Sequence, residues 1–195
     1  MDLVIAVDDP RIDDIRTLLD RHLAFAREVS PPDHVHAMEV DDLVDPAVTF
    51  FSARRDGVLL GVGALKRLDE THAELKSMHT SEAARGQGVG RAMVDHLLVV
   101  AADRSYRRVS LETGTMDAFA PARSLYTKAG FEPCAPFGEY TVNPHSACMT
   151  IGVSQRPSRP LRLSVRRGRP PSRAQSRRSL PSRPGRGGGG DRRTP

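Results

Sequence analysis

Apolar and polar positions along the first 150 residues follow two rhythms, and the changes between them divide the chain into elements. Leu3-Val4-Ile5-Ala6-Val7 is a short apolar run ended by Asp8-Asp9-Pro10, which reads as a strand followed by a helix start, with Asp9 as cap and Pro10 at the first helical position. Ile12, Ile15, Leu18, Leu19 and Leu23 then recur every three or four residues, predicting a helix to about Arg27 that Ser30-Pro31-Pro32 stops. A second short helix is expected around residues 34–43. Val48–Ala53 and Val58–Leu65 read as two strands joined at the turn Arg55-Asp56-Gly57, and the glycines of the second suggest a bulge or a close backbone approach. Ala73–Thr80 is a third strand of this run. The period then lengthens: Val89, Met93, Val94, Leu97, Leu98 and Ala101 mark a helix from about Gly88 to Arg104. A strand at Val109–Thr113, a helix at Ala120–Ala129 and two last strands at Phe131–Ala135 and Ala147–Ile151 complete the series. Strands in runs, with helices at the ends and between the later strands, give a mixed α/β (α+β) class without internal repeats.

Charge changes this picture at one place. The chain has 195 residues and a formal net charge of +5. After Gly152, however, thirteen arginines face a single acid, Asp191, so residues 153–195 carry +12 and residues 1–152 carry −7. The same cut separates a body with enough apolar residues for one core from a segment dominated by Arg, Pro, Ser and Gly. Such a segment cannot repay its chain entropy by burial, and disorder is expected of it. No apolar run approaches a membrane span, and the N-terminus lacks the basic flank and cleavage site of a signal peptide. Cys134 and Cys148 are too few for a disulfide scaffold, which makes a reducing cytoplasm the simplest home. His72, His96 and His145 show no ligand spacing, and no metal is expected.

The most informative segment is Arg85-Gly86-Gln87-Gly88-Val89-Gly90-Arg91, between a strand and a long helix. Alternating glycines let the backbone approach a ligand closely. The unpaired N–H groups and dipole of the following helix favour an anion in the same space, and Arg85 and Arg91 flank it. This is phosphate-binding chemistry. A P-loop would need a Gly-Lys-Ser/Thr sequence that is missing here, and the glycine spacing is not that of a dinucleotide fold. A tight glycine turn without a ligand is the competing reading.

Arg85-x-x-Gly88-x-Gly90, after a strand and opening an amphipathic helix, resembles the acyl-CoA signature of the GCN5-related N-acetyltransferase (GNAT) superfamily. Ala122-Arg-Ser-Leu125-Tyr126-Thr-Lys-Ala-Gly130-Phe131 is similar to the second signature of that superfamily, and the two lie in the expected order over residues 1–152. The resemblance implies a central, mostly antiparallel mixed sheet, splayed at a CoA cleft and flanked by helices. It implies acetyl-CoA as cosubstrate, with the pyrophosphate on the backbone of Gly86, Gln87, Gly88, Val89 and Gly90 beside Arg85 and Arg91. The pantetheine arm would lie between Met78-His79-Thr80 and Glu112-Thr113. Glu74 matches the position of a glutamate base in several relatives, and Tyr126 matches the tyrosine that protonates the leaving thiolate. Against these roles stand a glutamate merely paired with Lys76 or Arg67, and an aromatic merely packed beside Phe131. His79, expected on the opposite strand face from Glu74, is a weaker base candidate. Lys128 could reach a CoA phosphate or simply complement its helix dipole. Two departures stand out: Phe119 occupies the place of a usual Asn, and Ser77 is an unusually polar residue within its strand.

The expected reaction is therefore acetyl transfer from acetyl-CoA to a primary amine, with a small molecule as acceptor and a homodimer possible. Glu28, Asp33, Glu39, Asp41, Asp42, Asp45 and Glu139 fall in segments that would frame the acceptor, where acid would draw a cationic amine. A solvated acidic surface accounts for them equally. The alternatives of other classes are a CoA-binding protein without turnover and a protein that binds nucleic acid or an acidic partner through the arginine-rich tail. The tail has no aromatics for base stacking, and its lysine-free composition is also what GC-rich out-of-frame coding would give.

Overall fold

The computed structural model describes residues 2–29 and 38–154. Seven strands form one sheet in the order β1-β2-β3-β4-β5-β7-β6. They are β1 (Val4–Val7), β2 (Val48–Arg55), β3 (Val58–Arg67), β4 (His72–Thr80), β5 (Arg108–Gly114), β6 (Glu132–Pro133) and β7 (Ser146–Gly152). Every neighbouring pair is antiparallel except β4 and β5, which run parallel. Three helices flank the sheet: α1 (Asp13–Val29), α2 (Val89–Asp103) and α3 (Ala120–Ala129). The mixed class and the mostly antiparallel sheet expected from the sequence are what the chain forms.

Local chemistry accounts for the element boundaries. Asp56 and Gly57 both have positive φ, 53° and 80°, the backbone of a two-residue hairpin turn whose twist matches that of the strands. The Asp9 carboxylate accepts from the Arg11 N–H at 2.9 Å, so this stretch forms a turn, and α1 begins at Asp13, later than Pro10 suggested. At the end of α3 the Phe131 N–H donates to Tyr126 O and the Gly130 N–H to Thr127 O, closing the last turn and folding Phe131 back onto the helix. Burying Phe131, which is 2% exposed, contributes about 1.5–3 kcal/mol.

The two faces of the sheet carry two cores. On one, Met93, Val94 and Leu97 of α2 pack over Ala73, Leu75, Val109 and Leu111, with Tyr126 and Phe131 at the α3 side. On the other, Ile15, Leu18 and Leu19 of α1 cover Phe50, Val62 and Ala64. The helix expected around 34–43 falls in part on residues 34–37, outside the described residues; the described residues from 38 to the start of β2 form a 3-10 turn, Asp42–Val44, in its place. The last strands also differ from expectation, since β6 has two residues where five were predicted. The tail from residue 155 lies outside the described residues. Among the described residues no helix is long and apolar enough to cross a membrane.

Candidate active site

The glycine-rich turn sits where β4 hands over to α2. Gly88 caps the helix with φ +80°, a left-handed backbone that excludes ordinary side chains, and a Cβ built there would meet nothing within 4 Å. The first intrahelical bond runs from the Ala92 N–H to Gly88 O at 3.0 Å. The N–H groups that precede it belong to the unpaired first turn of a helix and bear the positive end of its dipole. Beside this turn opens a cavity of about 460 Å³, walled on one side by Met78, His79 and Thr80 and on the other by Phe119, Leu125 and Tyr126. Open space above Gly88 and the unpaired helix end together fit a diphosphate, so the residues suit a CoA ester at this place.

Two strands part beside this cavity. β4 and β5 pair only at His72/Arg108, Ala73/Val109 and Glu74/Ser110, although they are nine and seven residues long. Beyond Glu74 their facing edges diverge and leave a slot lined by main chain. Of the residues singled out from the sequence, Met78, His79, Thr80, Arg85, Gly86, Gly88, Val89, Gly90, Arg91 and Tyr126 line this cavity. Gln87 and Thr113 do not: Gln87 donates to Ala83 O at 2.8 Å and accepts from Arg55, and Thr113 is buried on β5 opposite Ala147. Arg91 ties the two signature segments together, bonding Asp95 on its own helix and Lys128 O at the end of α3. Phe119 fills the cavity wall with an aromatic edge against Phe25, 5.4 Å between centroids, and it presses on Gly114.

One residue corrects the expected side-chain pattern of β4. Val62 pairs with His79 and Ala64 with Lys76, so Ser77 and Met78 together oppose the single Gly63. This bulge, with Ser77 at φ +51°, inserts one residue and reverses the alternation beyond it. His79 therefore lies on the same face as Glu74 and Lys76, not the opposite one. Ser77 sits at this kink, and its buried hydroxyl has no hydrogen-bond partner among the described residues.

Turned this way, His79 meets a residue that the sequence did not single out. His22 of α1 lies against it, ring centroids 4.9 Å apart, and both line the cavity. Burial pushes the His22 imidazole down to about 4, with the Lys76 charge adding to the effect, and burial with the neighbouring His22 and Arg85 brings His79 to about 4 as well. Both rings are thus neutral near pH 7, and His22 keeps a buried Nδ1 with no partner. In the sequence His22 is one polar residue in an amphipathic helix; only the tertiary contact distinguishes it. Tyr126 is buried against Phe131, and desolvation, aided by Glu112, pushes its phenol up, so that it holds its proton.

Glu74 stands apart from this cavity. It is 3% exposed and lines a second hollow with Lys66, Arg67, Lys76, Glu139 and Tyr140. Tyr140 donates to Glu74 Oε1 at 2.6 Å and accepts from Lys76 Nζ at 2.7 Å, while Lys76 Nζ is 3.5 Å from the same Oε1. Burial first, then the Glu74 charge, pushes the Tyr140 phenol up. Lys76 joins the two hollows, because it touches this trio and its charge reaches His22. Next to them His72 is held between Arg108, 3.0 Å from Nδ1, and Ser110, 2.7 Å from Nε2. A guanidinium can only donate, so Nδ1 accepts and Nε2–H donates to Ser110. Among the described residues no group of His, Cys, Asp and Glu could hold a metal ion.

Three of the acids expected to frame the acceptor have partners elsewhere. Glu39 pairs with Arg27 at 2.9 Å, Asp42 accepts from the Glu39 N–H, and Asp45 accepts from the Ala47 N–H. Asp33 lies outside the described residues. Glu139 alone of that set lines the hollow beside Glu74.

Comparison with known proteins agrees with this architecture. The profile of the acetyltransferase (GNAT) family matches residues 12–131. Over 146 residues, 75% of this chain and 97% of the relative, the sequence is 42% identical to the N-acetyltransferase YsnE of Bacillus subtilis strain 168. It is 40% identical to the N-acetyltransferase YedL of Escherichia coli K12 over 151 residues, 77% of this chain and 95% of that one. The crystal structure of a Bacillus subtilis acetyltransferase in complex with CoA superposes with a TM-score of 0.61 at 17% identity, covering 78% of this chain and 100% of the other, a likeness of fold. With both signature segments meeting at one slot, and near-full-length relatives at 40% identity or more, the chain belongs to the acetyltransferase (GNAT) family and is an acyltransferase of the N-acetyltransferase kind.

Proposed function

We propose that the protein transfers the acetyl group of acetyl-CoA directly to the primary amine of a small molecule. The observation that carries this reading is the continuous cavity that runs from the unpaired N-terminus of α2 along the parted edge of β4 to Tyr126. Acetyl-CoA supplies the thioester. The amides opening α2 bind its diphosphate, with Arg85 and Arg91 neutralising charge. The exposed edge of β4 at Met78–Thr80 offers main-chain groups to an extended arm. Tyr126, kept protonated by burial, gives its proton to the departing thiolate.

Glu74 takes the proton of the amine as its nitrogen forms the new bond to the acetyl carbon and the carbon–sulfur bond breaks. Its contacts with Tyr140 and Lys76 both fall on Oε1, which orients the carboxylate toward the acceptor hollow. The bound CoA in the Bacillus subtilis structural neighbour supports the cosubstrate. The test is steady-state acetylation of an amine panel with free thiol as readout. Tyr126→Phe is expected to lower kcat about tenfold or more with little change in acetyl-CoA affinity, and Glu74→Gln to lower kcat/KM most at low pH. If neither substitution changes turnover, the two assignments are wrong, and His79, on the same face as Glu74, becomes the group to substitute.

A further inference from the structure

The geometry points to an acceptor that carries a carboxylate beside its amine, held by Lys66 and Arg67 at the mouth of the hollow in which Glu74 lies. This rests on the reading above, that Glu74 faces the acceptor.

Four observations converge. The hollow, about 520 Å³, is ample for a small molecule and is lined by three cations, Lys66, Arg67 and Lys76, against two acids, Glu74 and Glu139. Lys76 is already matched by Glu74 at 3.5 Å and by the Tyr140 hydroxyl. Lys66 and Arg67, by contrast, have no ion pair or side-chain hydrogen bond among the described residues. Finally, Lys66 and Glu74 are direct ladder partners on adjacent strands, which sets their Cβ atoms about 5 Å apart on one face. A molecule with its nitrogen on Glu74 thus presents groups a few bonds away to Lys66, as an amino acid would.

The same charges serve the chemistry. An amine attacks only after losing its proton, and three nearby cations disfavour the ammonium form, which favours the free amine. A cationic acceptor without an acid, such as a polyamine, would meet repulsion at the mouth and gain nothing from Arg67. An acid group gains charge-assisted hydrogen bonds there, the strongest available to a guanidinium.

The test compares matched pairs of acceptors with the full-length enzyme and saturating acetyl-CoA: L-phenylalanine against phenethylamine, L-methionine against 3-methylthiopropylamine, L-lysine against cadaverine. The proposal expects kcat/KM for the better acids to exceed that of their decarboxylated partners at least tenfold. In Lys66→Gln/Arg67→Gln that ratio is expected to fall at least tenfold, and in Lys66→Glu/Arg67→Glu to invert. Both side chains reach solvent, and thermal denaturation of each variant checks that the fold survives. Equal or better use of the plain amines, or a preference for acids that outlasts both double substitutions, overturns the proposal and leaves the acetyltransferase reading intact. Acetyl-CoA binding with no acetylation of any pair member overturns both.

Discussion

Replacing Gly88 by glutamate places a carboxylate where the diphosphate of acetyl-CoA is proposed to lie, and the structure permits its effect to be separated from damage to the fold. Gly88 has φ +80°, so any side chain there incurs the left-handed backbone cost of about 1–2 kcal/mol. A Cβ meets nothing within 4 Å, so no clash adds to it. A domain with about 5–15 kcal/mol of stability remains folded. Repulsion between the new carboxylate and a bound phosphate about 4 Å away amounts to about 1 kcal/mol in water and about 4 kcal/mol at the dielectric of a protein surface. That range corresponds to acetyl-CoA affinity about fivefold to a thousandfold weaker, each 1.4 kcal/mol being a factor of ten. Gly88→Ala carries the strain without the charge: about 1 kcal/mol of stability is expected to go, while affinity stays within about threefold. Isothermal titration calorimetry of the three proteins with acetyl-CoA, beside thermal denaturation, reads both quantities. Unchanged affinity in Gly88→Glu would refute the placement of the diphosphate. A loss in Gly88→Ala equal to that in Gly88→Glu would show that backbone shape, and not charge, is what the position supplies.

Two further outcomes follow from the packing and the buried rings. Gly63 lies opposite the bulge, and a Cβ there would stand 2.6 Å from Met78 Sδ and 3.0 Å from Met93, so Gly63→Ala is expected to cost about 1–3 kcal/mol in chemical denaturation and to disturb the slot through Met78; a cost below about 0.5 kcal/mol would contradict the close packing. His22 and His79 titrate near 4 in the folded protein against 6.5 when unfolded, so between those values the unfolded chain binds the extra protons. Stability is then expected to be constant in this respect above about pH 7 and to fall by about 1.4 kcal/mol per pH unit for each imidazole as pH drops from 6.5 toward 4. His22→Phe should flatten that slope in urea titrations at several pH values; an unchanged slope would mean that folding does not shift the His22 titration.

Much of the frame was legible because it rests on local rules. Period located α2, turn residues located the hairpin at Asp56-Gly57, and the glycine turn carried its chemistry in its composition. The side-chain pattern of β4 was misread at His79 because a bulge arises from pairing with Gly63, a partner 14 positions earlier, and no local signal at Ser77 announces it. His22 escaped notice for a related reason: a histidine on an amphipathic helix acquires meaning only when another helix or strand delivers a neighbour. A count of charges along the chain also omits pairing: Glu39, Asp42 and Asp45 are engaged by Arg27 and by nearby amides, contacts that the sequence does not display. Tyr140 meets Glu74 across 66 positions of sequence, a contact that no local pattern announces.

The seam between β4 and β5 is bounded by backbone for most of its length, and this has a consequence for how the family can vary. Main-chain N–H and C=O groups are the same whatever side chain they carry, so substitutions at Met78 or Thr80 alter the lining of the slot without erasing its capacity to grip an extended guest. A deletion of one residue between Lys76 and His79 would be absorbed as well. It would remove the bulge and leave a single residue facing Gly63, while His79 stays opposite Val62, on the face of Glu74 and Lys76 and against His22. The seam is therefore insulated against changes of letter and, at this one point, against the loss of a residue.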